Sequence, residues 1–101
     1  MALHIGVNLA GLADFSSRHQ VAELALFGSC LREDFGPESD IDILVTFKWE
    51  AKVSLFDLVD MAEELSLLFG RHVDLVPKAG LKPRIRRSIL ESSRVIYDVA
   101  A

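Results

Sequence analysis

Apolar and polar residues alternate along this chain in two rhythms, one suited to strands and one to helices. Val21 to Phe27 and Ile41 to Phe47 are short, β-branched or leucine-rich runs of strand length, and His72 to Val76 and Val95 to Asp98 repeat the pattern more briefly. Between them lie stretches with helical spacing. Leu9 to His19 forms a weakly amphipathic helix, Ser29 to Asp34 a short one, and Leu81 or Lys82 to Ser92 a third with Pro83 in its first turn. Ser54 to Phe69 gives the clearest helix, because Ser54 and Asp57 have capping-box spacing and Gly70 can terminate the last turn. Helices interleaved with strands predict an α+β fold: a small mixed β-sheet packed against helices, with residues 1–101 forming one domain.

The long helix holds more apolar residues than one core-facing stripe needs. Leu58, Ala62, Leu65 and Phe69 share a side, while Phe56, Leu67 and Leu68 fall partly outside it. Burial inside a larger sheet-helix sandwich and contact with a partner both account for that surplus. Trp49, in the loop Lys48 to Lys52, reads either as a stacking or partner contact or, more commonly for tryptophan, as cover for the core.

Candidate chemistry clusters at two strand ends. Phe27-Gly28-Ser29 closes the first strand, and Ser39-Asp40-Ile41-Asp42 opens the second. Residues two apart on a strand share a face, so Asp40 and Asp42 can converge on one cation while Ile41, Ile43 and Val45 face the other way. Carboxylate oxygens suit Mg²⁺, whose remaining positions are commonly filled by water and substrate phosphates. Gly28 permits a tight turn and close backbone approach, and Ser29 offers a hydroxyl where a helix N-terminus favours phosphate. Arg32 would stand about one turn further on, aiming a fixed charge at that phosphate or a nearby carboxylate. Asp74, between apolar neighbours in Val73-Asp74-Leu75-Val76, is a third carboxylate. It reads as a further metal ligand or as a strand aspartate facing water.

Gly-Ser and Ser-Asp are also ordinary turn residues. A chance match to glycine-serine plus Asp-x-Asp at this spacing is on the order of one in a thousand from average residue usage. The functional reading is therefore preferred.

Taken together, Phe27-Gly28-Ser29, Arg32, Ser39-Asp40-Ile41-Asp42-Ile43-Leu44-Val45, Val73-Asp74-Leu75-Val76 and the closing Arg94-Val95-Ile96-Tyr97-Asp98 resemble the minimal nucleotidyltransferases of the DNA polymerase β superfamily. These are the antitoxin half of HEPN and nucleotidyltransferase toxin-antitoxin pairs. The resemblance covers nearly the whole chain. It implies a nucleotidyltransferase fold, two Mg²⁺ ions held by Asp40, Asp42 and Asp74 as catalytic residues, and ATP held by Gly28, Ser29 and Arg32. It further implies AMP transfer to a tyrosine hydroxyl of a cognate HEPN ribonuclease toxin, which is thereby inactivated. Two rival readings are the catalytic subunit of a small-molecule or RNA nucleotidyltransferase, and a noncatalytic antitoxin that masks its toxin by binding.

Composition narrows the remaining classes. The 101 residues include 15 acidic and 11 basic side chains, a net charge of −4, which argues against direct nucleic-acid binding. Lys78, Lys82, Arg84, Arg86 and Arg87 are nonetheless grouped beside Pro83, as a solvated helix face or a docking surface. The single cysteine, Cys30, excludes an internal disulfide and fits a reducing cytoplasm. His4, His19 and His72 lack the close sequence pairing of a zinc site. No apolar run reaches the roughly 20 residues of a membrane span, and no charged signal-peptide start is present, so a cytoplasmic protein is expected.

Overall fold

Among the described residues, four strands make one mixed sheet. The computed structural model describes residues 8–28 and 39–99. In chain order these form α1 (Leu9–Arg18), β1 (Val21–Phe27), β2 (Ile41–Phe47), α2 (Leu55–Phe69), β3 (Val73–Pro77), α3 (Pro83–Ser92) and β4 (Arg94–Asp98). The sheet order is β3-β2-β1-β4. β1 is antiparallel to both β2 and β4, whereas β2 and β3 are parallel. A parallel pair requires a long crossover, and α2 supplies it.

The strand period separates a packed face from the face that carries the carboxylates. Leu24 pairs with Val45 and Leu26 with Ile43, and all four are buried. Leu12 and Phe15 of α1 and Met61 and Leu65 of α2 complete that core, together with Ile41 and Val73. Phe27 pairs with Asp42, and Asp42 pairs in turn with Asp74, so both aspartates fall on the opposite side from Ile41, Ile43 and Val73.

Local hydrogen bonds set the helix ends where the sequence indicates. The Asn8 side chain accepts from the Gly11 N–H at 2.9 Å and starts α1. At α2, the Asp57 N–H donates to Ser54 Oγ at 3.1 Å and the Ser54 N–H donates to Asp57 Oδ2 at 2.9 Å, which closes the capping box. Gly70 ends that helix in the left-handed region at φ 72°. Arg18 pairs with Asp14 and reaches across to Glu64, joining the end of α1 to α2.

Several expectations are corrected. Trp49 does not cover the core but is 93% exposed. Of the surplus apolar residues of α2, Leu68 is half-buried against the core, but no sandwich encloses the others: Phe56 is 82% and Leu67 84% exposed. Strand β3 runs from Val73 to Pro77 rather than from His72 to Val76, because its register is set by pairing with β2 from Ile41 to Val45. Proline is tolerated there because β3 is the sheet's edge strand. A 3-10 turn, Lys78–Gly80, follows it where no element was expected. In the basic group, Lys82, Arg84, Arg86 and Arg87 are exposed, Lys78 pairs with Glu23 at 3.7 Å, and Arg87 pairs with Glu91. The short helix expected over Ser29 to Asp34, with Cys30, lies outside the described residues, as does His4. Among the described residues no helix is long and apolar enough to cross a membrane.

Candidate active site

The site is assembled at the starts of β2 and β3, which run side by side in the same direction. The Ile41 N–H donates to the His72 carbonyl at 3.0 Å, and the Arg71 guanidinium donates to the Ser39 carbonyl at 3.3 Å. These two bonds tie the segment bearing Asp40 to the segment bearing His72 just before the sheet begins. Asp40 precedes β2 by one residue, and Asp42 and Asp74 are the second residues of β2 and β3. The period of two places Asp40 with Asp42 and His72 with Asp74.

Ligand atoms of Asp40, His72 and Asp74 lie within 4.8 Å of one another, and all three residues are exposed. His72 Nε2 stands 2.9 Å from Asp74 Oδ1. That hydrogen bond, then the charge of Asp74, and to a smaller extent that of Asp40, raise the imidazole's pKa above its ordinary value against a small opposing effect of burial. Two carboxylates and an imidazole on one exposed strand-end cluster are a donor set that fits a divalent cation.

Asp42 is held differently. It is half-buried at the end of β1, where Gly28 has φ +70° and a Cβ built on it would sit 2.5 Å from Asp42 Oδ2. Glycine is thus required at position 28 twice, for its backbone angle and for the space the carboxylate fills. The structure brings Gly28 to Asp42, and Asp40 to Asp74, with Asp42 and Asp74 register partners between them. Ser29 and Arg32, expected on the phosphate side, lie outside the described residues. His72 is the site residue that sequence reasoning passed over. Its signal was the His-x-Asp spacing, which a strand converts into a shared face.

Beside this cluster runs an open groove of about 900 Å³ between α2 and β3. Leu58, Val59, Ala62 and Leu67 form the apolar part of its helical wall, Leu75 and Pro77 its strand wall, and Glu63, Ser66, Arg71, His72 and Asp74 its polar part.

Residues 11–96 match the nucleotidyltransferase domain family. Protein adenylyltransferase MntA of Thermococcus cleftensis is 38% identical over 84 residues, covering 83% of this chain and 81% of that protein. A solved structure assigned to the minimal nucleotidyltransferases superposes with a TM-score of 0.68 at 30% identity, covering 84% of this chain and 85% of the other. The fold also matches one chain of a complex between a tri-AMPylated HEPN toxin of Shewanella oneidensis and its MNT antitoxin, with a TM-score of 0.65, 16% identity, and coverage of 91% of this chain and 71% of that one. A toxin-antitoxin structure with AMP-PNP gives 0.73 at 18% identity, covering 92% of this chain and 75% of that one. On the family match and the relatedness to MntA, the chain belongs to the nucleotidyltransferase domain family and is a nucleotidyltransferase related to the protein adenylyltransferases.

Proposed function

We propose that this nucleotidyltransferase is the antitoxin of a toxin-antitoxin pair, transferring AMP from ATP to a tyrosine hydroxyl of a cognate HEPN-domain toxin. The observation that carries the reading is the meeting of Asp40 and Asp74 at adjacent strand starts, with Asp42 seated against Gly28 beside them. The similarity to a protein adenylyltransferase supports a protein acceptor. So does the groove, whose helical wall carries the exposed Val59 and Leu67, an apolar surface of the kind that marks protein contacts.

Asp40, Asp42 and Asp74 would hold two Mg²⁺ ions, which when bound neutralise the triphosphate and stabilise charge on the attacking and leaving oxygens. Gly28 keeps Asp42 in place by leaving room for its carboxylate. Ser29 and Arg32 are assigned to the triphosphate by sequence. The tyrosine oxygen forms a bond to the α-phosphorus, the bond from that phosphorus to the bridging oxygen breaks, and pyrophosphate leaves. Asp74, as a ligand of the metal, would favour loss of the hydroxyl proton to solvent.

Asp74→Asn is expected to lower turnover far more than ATP affinity, because Asp40 and Asp42 still seat the nucleotide. Calorimetry with ATP and labelling of the purified toxin read the two separately. If affinity collapses in step with rate, Asp74 serves the nucleotide or the fold; if neither changes, it is a solvent-facing strand residue.

The groove makes a second prediction. Val59→Glu with Leu67→Glu should raise the KM for the protein acceptor by about tenfold or more, since charges replace apolar contact area, while ATP affinity stays the same. Both residues are exposed, so the fold is retained. An unchanged KM would remove the groove from acceptor binding.

The exposed apolar arc of α2 also suits a chain that masks its toxin by contact alone. Mass spectrometry of toxin recovered from the pair separates the readings: added AMP marks transfer, whereas an unmodified toxin that regains activity on release marks masking.

A further inference from the structure

His72 adds to the carboxylates something the expected ligand set lacks, a nitrogen donor. Its Nε2 lies 2.9 Å from Asp74 Oδ1, and a ligand oxygen of Asp40 is within 4.8 Å of both. Two ligands in neighbouring positions of an octahedral ion, each about 2.1 Å from the metal, are about 3.0 Å apart. The His72 and Asp74 donors therefore already stand at the separation of adjacent ligands, and only the hydrogen shared between them has to leave. The backbone supports that spacing. Ile41 N–H to His72 carbonyl and Arg71 to Ser39 carbonyl hold the two strand starts together, so the backbone positions that carry the three side chains are fixed relative to one another. Half of the Asp74 side chain and 63% of that of His72 are open to solvent, which gives an ion direct access.

Nitrogen in the donor set changes which ion is favoured. Carboxylates and water suit Mg²⁺, whereas imidazole suits first-row transition metals, whose affinity for nitrogen ligands rises from Mn²⁺ towards Co²⁺ and beyond. We propose that His72 is a metal ligand, joining Asp40 and Asp74 in a mixed nitrogen and oxygen site that selects a transition-metal ion such as Co²⁺ or Mn²⁺ over Mg²⁺. This rests on the reading that Asp40 and Asp74 hold a divalent cation. A histidine that only hydrogen-bonds to Asp74 would orient the carboxylate and leave the choice of ion unaltered.

Titration calorimetry of metal-free protein with Co²⁺ and with Mg²⁺, in the absence of nucleotide, tests the site without any activity measurement. His72→Gln should weaken Co²⁺ binding by about tenfold or more and leave Mg²⁺ binding within about threefold, because only the transition metal profits from the imidazole. Electron-spin-echo modulation of bound Mn²⁺ should show coupling to nitrogen in the wild type and lose it in His72→Gln. Equal loss for both ions, or the absence of nitrogen coupling in the wild type, overturns the proposal. Asp74→Asn distinguishes the underlying reading. If it weakens both ions while His72→Gln weakens neither, the nitrogen ligand alone is refuted; if Asp74→Asn changes neither, Asp74 is not a metal ligand at all.

Discussion

Asp40→Asn combined with Asp42→Asn is expected to abolish AMP transfer, with turnover falling roughly a thousandfold or more and the melting temperature nearly unchanged. Losing the charge clamp on the triphosphate removes several kcal/mol of transition-state stabilisation, and each 1.36 kcal/mol is tenfold in rate. The fold has little at stake in the exchange. Asp40 is exposed and Asp42 half-buried, both lie off the core face, and asparagine keeps the shape of aspartate. The measurement is incubation with labelled ATP, Mg²⁺ and purified toxin, beside thermal melts of both proteins. A folded double variant that still labels the toxin would refute the assignment of these two carboxylates.

Gly28→Ala should cut transfer on the order of a hundredfold, the usual penalty for displacing a reacting group by about 1 Å. The new methyl meets Asp42 Oδ2 at 2.5 Å, so the carboxylate has to swing away from its place. The left-handed backbone angle adds about 1 kcal/mol of strain. Gly70→Ala provides the control, because that residue has nearly the same angle but nothing within 4 Å of the added methyl. It should lose stability to a similar extent and keep its activity. Equal activities in the two variants would mean that Asp42 does not need its position against Gly28.

How much the sequence revealed depends on the range of the interactions that set each feature. β1 and β2 fall at their expected limits because dense apolar runs bury them wherever they pair. The ends of α2 were legible because Ser54, Asp57 and Gly70 act on backbone within one turn. The limits of β3 were not, since they depend on β2, a strand distant in sequence. His72 was passed over for a different reason: zinc-site spacing asks for a second histidine, whereas its partners are Asp74, two residues on and on the same strand face, and Asp40 across the sheet. The apolar surplus of α2 was visible, but a count of leucines does not say whether a second layer covers them, and Phe56 and Leu67 are left open. Gly28 was expected to allow close approach, and in the folded sheet Asp42 is what approaches.

One hydroxyl sets the spacing between the groove and the carboxylates. Ser66 Oγ donates to the Ala62 carbonyl at 2.7 Å and accepts from the Val73 N–H at 2.9 Å, and the Ser66 carbonyl accepts from the Gly70 and Arg71 N–H groups. The last turn of α2 and the first residue of β3 are thus one bracket, with apolar anchors on one arm and Asp74 on the other. On the proposed reading, a protein acceptor seated against Val59 and Leu67 would present its hydroxyl at an offset fixed by that bracket, so acceptors would be sorted by reach. A side chain one residue out of register would be held firmly and left unmodified.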